Sequence, residues 1–96
     1  MRKVFIAGNW KMYKTIEDAV ETVSKVKDQL AGFSAADVLI CPSFTILSSV
    51  RDILKDTDIE LGAQDVFFEN EGAFTGEASP IQIRDCGCGF VIIGHS

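Results

Sequence analysis

The sequence predicts an α/β fold in which a βαβαβαβ unit forms a parallel sheet. Short apolar runs of strand length alternate with longer segments whose apolar residues recur at helical spacing. The strand-like runs are continuously apolar, which is typical of parallel strands buried on both faces. The strand-helix pair repeats at about 30 residues, as a βα unit requires. We therefore expect right-handed crossovers, with the loops after all four strands on one side of the sheet.

Composition and charge narrow the range of functions. The chain has 96 residues, of which 47% are hydrophobic, and this predicts one packed domain, residues 1–96. The net charge of −5 argues against a partner that is a nucleic acid or an acidic membrane surface, but it leaves room for a local anion site. There is no signal-peptide pattern and no apolar run near 18 residues, so we expect a cytoplasmic protein.

The cysteines predict neither disulfides nor a metal centre. Three cysteines, an odd number, in a chain without an export signal indicate reduced thiols; they are Cys41, Cys86 and Cys88. The pair Cys86-x-Cys88 lacks zinc spacing and a second ligand pair. No dinucleotide-binding or P-loop pattern is present, and we expect no cofactor.

The first half of the chain contains two predicted strands and a helix between them. Lys3–Gly8 is the first strand. Thr15 is a suitable N-cap for a helix that ends at Gly32 in the C′ position. The apolar face of this helix is formed by Ile16, Ala19, Val20, Val23, Val26 and Leu30. Asp37–Cys41 is the second strand, and Pro42 breaks it.

The second half repeats this order around one long loop. A helix is predicted over Phe44–Lys55 and a third strand over Ile59–Gln64. The loop Asp65–Ala78 exceeds ordinary βα loops in length, which indicates a function for it. Ser79-Pro80 starts a short helix that runs to Cys86, and Phe90–Ile93 is the fourth strand.

Polar residues follow the predicted strands at the edge where ligands bind in parallel α/β sheets. Asn9 and Lys11 follow the first strand, Gln64 ends the third, and His95 and Ser96 follow the fourth. The ammonium of Lys11 suits a phosphate or a developing oxyanion, and Asn9 can hold Lys11 or donate to a substrate oxygen. The imidazole of His95 suits proton transfer or polarisation of a carbonyl.

Each of these residues also has an ordinary structural explanation. A lone histidine often caps or packs, a lysine is usually solvated, and an asparagine tolerates tight turns. Phe74 in the long loop fills a pocket or anchors an interface, and we favour the interface because an aromatic residue in a protruding loop needs a partner surface. The functional signal is therefore the convergence of the polar residues.

Four segments of the chain resemble the signatures of the triosephosphate isomerase family, in the family's order and spacing. They are Gly8-Asn9-Trp10-Lys11-Met12, Gly62-Ala63-Gln64-Asp65, Gly72-Ala73-Phe74-Thr75-Gly76-Glu77 and Ile93-Gly94-His95-Ser96. The resemblance covers the whole chain and implies the N-terminal half of a (β/α)8 barrel of about 250 residues. Tyr13 and Ala7 stand where the family often has asparagine and glycine.

The resemblance implies a role for each matching residue. Lys11 would bind the phosphorylated triose and stabilise enediolate charge, with Asn9 orienting both. His95 would be the catalytic electrophile, supported by Ser96. The dimer interface would include Thr75, Phe74 and Gln64, in a homo-oligomer or with a complementing C-terminal part.

The resemblance also implies that the catalytic glutamate and the phosphate-binding loops of the family lie beyond residue 96. We therefore expect the 96-residue polypeptide alone to be inactive. Two functions are considered: a triosephosphate isomerase that interconverts two triose phosphates, and a non-catalytic half-barrel unit for assembly. An independent flavodoxin-like domain fits the length, but it would need an acidic pocket or a phosphate loop at the strand ends.

Overall fold

The computed structural model describes residues 4–93 and contains a four-stranded parallel sheet with its helices. The strands are β1 (Val4–Asn9), β2 (Ala36–Cys41), β3 (Glu60–Ala63) and β4 (Phe90–Val91), and the helices are α1 (Ile16–Gln29), α2 (Leu47–Leu54) and α3 (Pro80–Asp85). The strands lie side by side in the order β1-β2-β3-β4. The predicted βαβαβαβ order is confirmed.

Helix α1 begins where the sequence predicts and ends earlier. The Thr15 Oγ1 accepts a hydrogen bond from the Asp18 N–H at 3.3 Å, which confirms the N-cap. Leu30, not Ala31, is the C-cap, so the prediction that Gly32 occupies C′ is wrong. The chain leaves the helix through a tight turn in which the Phe33 N–H donates to the Leu30 carbonyl, and Gly32 supplies the positive φ of 79° within that turn.

The other two helices are shorter than predicted. The segment predicted as one helix over Phe44–Lys55 starts as a 3₁₀ turn at Phe44–Ile46 before α2 begins. In α3, the Ser79 Oγ accepts from the Gln82 N–H at 3.4 Å, and Pro80 occupies the first helical position, as predicted. The paired part of β4 is also shorter than predicted, although the Ile92 N–H still donates to the Ala63 carbonyl at 2.9 Å.

The hydrophobic core lies between the helices and one face of the sheet. It contains Ala19, Val23, Ile40, Ile46, Leu47, Val50, Leu54, Leu61, Ala63, Ile83 and Cys88. Only part of the predicted apolar face of α1 reaches this core, because Ile16 and Val20 are exposed.

Strand β1 is less buried than its sequence predicts. The expectation of burial on both faces is wrong for this strand: Val4, Phe5 and Ile6 are each at least half exposed. Among the described residues β1 pairs with β2 alone and is therefore an edge of the sheet. No helix within residues 4–93 is long and apolar enough to cross a membrane.

Candidate active site

The loops after β1 and β3 border a cleft of about 670 Å³ at the carboxyl ends of the strands. Its walls combine polar residues that the sequence predicted to converge with apolar side chains from the long loop and from the segment directly after β4. The lining residues are Asn9, Lys11, Gln64, Asp65, Val66, Phe67, Phe68, Ile92 and Ile93. The predicted convergence of Asn9, Lys11 and Gln64 is therefore observed.

The backbone of Lys11 adopts a conformation that lysine rarely takes. Its φ is +55°, in the left-handed region, which costs a residue with a side chain about 1–2 kcal/mol. The Asn9 Oδ1 accepts a hydrogen bond from the Lys11 N–H at 3.0 Å, and this turn contact fixes the entry into the loop. The Asn9 side chain is therefore bonded directly to the backbone of Lys11.

Gln64 holds the same loop from the neighbouring end of β3. Its Nε2 donates to the Lys11 carbonyl at 2.8 Å and to the Cys41 carbonyl at 3.0 Å. The Trp10 N–H also donates to the Cys41 carbonyl, at 3.1 Å. One amide group thus connects the ends of β1, β2 and β3. Sequence reasoning placed Gln64 at this edge but did not find this contact, because two backbone carbonyls leave no sequence signature.

The cleft has the chemistry of a site for an anion. Lys11 is exposed and lines the cleft, and its ammonium is a compact charge suited to phosphate. Asp65 also lines the cleft and carries a negative charge, so an anion would bind closer to Lys11 than to Asp65. Trp10 packs against the hydrophobic core, and the Lys14 Nζ lies 5.8 Å from the centre of its ring.

The long loop after β3 forms a separate feature. The Phe67 N–H donates to the Ala78 carbonyl at 2.7 Å and closes the loop. The ring of Phe67 lies 4.4 Å from that of Phe68 and 4.6 Å from that of Phe74. Phe74 is therefore held within the loop while 44% of its surface stays exposed, and the neighbouring Thr75 is exposed as well. Neither residue lines the cleft.

Two of the residues with predicted catalytic or supporting roles, His95 and Ser96, lie outside the described residues. Within residues 4–93, no group of three or more histidine, cysteine or acidic side chains is arranged to hold a metal ion.

Two cysteine thiols, those of Cys41 and Cys88, have raised pKa values. Burial raises the pKa of Cys88 to about 11, with smaller contributions from Cys86 and Cys41. Burial also raises the pKa of Cys41. Both thiols are therefore poor nucleophiles at neutral pH, and we assign them to packing.

Comparison with known proteins identifies the family. The family model for triosephosphate isomerase matches residues 4–96. The chain belongs to the triosephosphate isomerase family. It is 53% identical to the triosephosphate isomerase of Roseiflexus sp. (strain RS-1) over 96 residues, which are 100% of this chain and 38% of the relative. It is 51% identical to the one of Endomicrobium trichonymphae with the same coverage.

A solved structure extends the likeness to three dimensions. The crystal structure of triosephosphate isomerase from Bartonella henselae superposes with a TM-score of 0.84 and 38% identity, over 99% of this chain and 39% of that one. The described sheet is accordingly the N-terminal half of a TIM barrel. The chain spans about two fifths of the length of the relatives that it matches.

Proposed function

We propose that this chain supplies the lysine side of a triosephosphate isomerase active site, which interconverts dihydroxyacetone phosphate and glyceraldehyde 3-phosphate through an enediolate. The observation that carries the proposal is the cleft at the strand ends, where Asn9 and Gln64 fix an exposed lysine. Membership of the family supplies the reaction.

Each residue has one task in the proposed reaction. The Lys11 ammonium attracts the phosphorylated substrate and stabilises the negative charge that develops on the enediolate oxygens. Asn9 keeps the lysine loop in position through the Lys11 N–H. His95 polarises the carbonyl and moves protons between the two oxygens, with Ser96 beside it, as the resemblance implies. A base is needed within hydrogen-bond reach of the substrate carbon, and the family uses a glutamate.

The proposal includes the surroundings of the enzyme. We assign it to glycolysis in the cytoplasm, without a cofactor, as a homodimer in which Phe74, Thr75 and Gln64 lie at the interface. The exposed face of Phe74, whose ring packs against that of Phe67, supports the interface. The net charge of −5 favours a small phosphorylated substrate in a local site over a nucleic acid or an acidic membrane.

The exposed apolar residues of β1 favour a second candidate, a half-barrel unit that serves assembly and has no activity. The two candidates differ in whether Lys11 matters for chemistry.

A complete polypeptide tests the proposal. The aligned segment of the Roseiflexus sp. relative is replaced by this sequence, and isomerase turnover is measured. We expect activity, and we expect Lys11→Met to lower kcat/KM by at least about a thousandfold, the scale of strong oxyanion donors. The control is Lys25→Met, which removes the same charge from an exposed ion pair with Glu21 on α1.

Two results would contradict the assignment. A near-normal kcat/KM in the Lys11→Met variant would show that the lysine does not have the role proposed for it. Absence of turnover in a folded complete polypeptide would favour the assembly unit. The 96-residue polypeptide by itself is expected to show no turnover above background, because no base within reach of the substrate carbon is assigned to it.

A further inference from the structure

We propose that Gln64 is a positioning residue for Lys11, and that its side-chain amide keeps the lysine in the left-handed conformation that directs the ammonium into the cleft. This inference rests on the proposed function, because it assigns a task to Gln64 within the same site.

Both backbone polar groups of Lys11 are hydrogen-bonded by side chains. The Asn9 Oδ1 accepts from its N–H at 3.0 Å, and the Gln64 Nε2 donates to its carbonyl at 2.8 Å. The contact at the N–H restrains φ and the contact at the carbonyl restrains ψ. The two contacts therefore stabilise the φ of +55° that lysine would otherwise avoid.

Both N–H groups of the Gln64 side-chain amide donate to backbone carbonyls. The Gln64 Nε2 donates one hydrogen bond to the Lys11 carbonyl oxygen at 2.8 Å and the other to the Cys41 carbonyl oxygen at 3.0 Å. An amide with two such partners on two strand ends has a fixed orientation. The contact therefore acts as a rigid support rather than as an adaptable surface group.

Loss of the Gln64 amide group would mainly affect Lys11. The Cys41 carbonyl keeps a second donor, the Trp10 N–H at 3.1 Å. The Lys11 carbonyl receives its bond from Gln64 across 53 residues of sequence. Removing the amide therefore releases the lysine carbonyl while the pairing of Trp10 with β2 stays in place.

The test uses the complete polypeptide described above. Gln64→Met keeps the length of the side chain and removes both donors. We expect the Kd for inorganic phosphate, measured by calorimetry, to rise about tenfold and kcat/KM to fall about 30-fold, within the range that a misplacement of about 1 Å produces. The control is Gln29→Met, at an exposed position at the end of α1.

A double-mutant cycle separates positioning from general stability. In the Lys11→Met background, Gln64→Met is expected to change the phosphate Kd less than twofold, because no ammonium remains to be positioned. The same relative loss of phosphate affinity in both backgrounds would overturn the proposal, as would a Gln64→Met variant that binds phosphate like Gln29→Met. If Gln64→Met does not fold, Gln64→Asn takes its place in the cycle, since it keeps the amide and shortens its reach.

The behaviour of the parent protein separates the proposed function from the role of Gln64. If the parent binds phosphate through Lys11 but has no turnover, the proposed function fails and the role of Gln64 is still decided by the cycle. If the parent is an active isomerase and the cycle shows no coupling, the role of Gln64 alone is overturned.

Discussion

The ring of Phe5 on β1 lies 5.6 Å from the ring of Phe90 on β4, although these strands are at opposite edges of the described sheet. The register explains how they meet. Phe5 is paired with Asp37, and Gly62 is paired with Phe90, so alternation along β2 and β3 puts both rings on the same face. Contact across four strands requires this face to be concave, as in half of a barrel.

Gly62 lies on the concave face where there is little room for a side chain. A Cβ at Gly62 would lie 2.8 Å from the Cys41 Sγ and 3.2 Å from the Leu39 Cδ1. We predict that Gly62→Ala lowers the free energy of unfolding of the complete polypeptide by about 1–3 kcal/mol, the usual cost of overpacking. Thermal and denaturant unfolding measure the change.

Gly8 offers the matched control for this substitution. A Cβ there would meet its nearest neighbours at 3.9 Å, an ordinary contact, and its φ is not positive. Gly8→Ala should leave the unfolding free energy within about 0.5 kcal/mol of the parent. Equal losses for the two variants would show that steric crowding at Gly62 is not the cause.

The sequence predicted the order of the elements and the edge of the sheet where the polar residues meet. It predicted these well because strand-length apolar runs and the N-caps Thr15 and Ser79 are local signals. It failed for the burial of β1, since burial depends on which elements cover a strand and not on the composition of that strand. The link between Gln64 and Lys11 spans 53 residues and was likewise beyond local patterns.

A substitution in the long loop after β3 is expected to weaken subunit association. A Cβ at Gly72 would clash with the Cε2 atom of Phe74, and the φ of Gly72 is +149°. We predict that Gly72→Ala displaces the Phe74 ring and raises the dissociation constant of the proposed dimer at least about tenfold, because the ring is an aromatic anchor of the proposed interface. Sedimentation velocity over a dilution series measures it.

Two variants of the same loop test that explanation. Phe74→Ser should weaken association at least as much as Gly72→Ala, since it removes the anchor itself. Gly32→Ala is the control, because it places alanine at a positive φ of 79° with no neighbour within 4 Å. Dimers of unchanged affinity in both loop variants would place the interface elsewhere.

The raised pKa of Cys88 predicts a dependence of stability on pH. The folded thiol has a pKa of about 11, whereas the ordinary value for a cysteine thiol is 9.0. Below about pH 9 the thiol is protonated in both states and the contribution is complete. As the pH rises from 9 to 11, the unfolded state releases its proton first, so the stability of the folded state falls.

The measurement is the difference in unfolding free energy between the parent and Cys88→Ala. We expect this difference to decrease by about 2 kcal/mol between pH 8.5 and pH 11, from the 1.36 kcal/mol that one pKa unit represents. Changes that arise from other groups cancel in the comparison. A difference that stays constant with pH would mean that the thiol titrates alike in both states.

The 96-residue polypeptide by itself should associate. In the described residues β1 and β4 each pair on one side only, so both edges offer unpaired backbone groups. Phe5 and Phe90 remain about half exposed on the concave face, and Val4 and Ile6 are exposed on the other face of β1. Monomers rarely expose contiguous apolar patches above a few hundred Å², and burial of apolar surface contributes about 25 cal/mol per Å², so a partner that covers these residues is favoured. Ultracentrifugation should therefore show concentration-dependent association, with weak near-ultraviolet circular dichroism for Trp10 in any dissociated species.

The control is Phe5→Lys, which places a charge on the concave face and should weaken association. A dilute monomer with sharp aromatic signals and cooperative unfolding would show that the concave face does not need a cover.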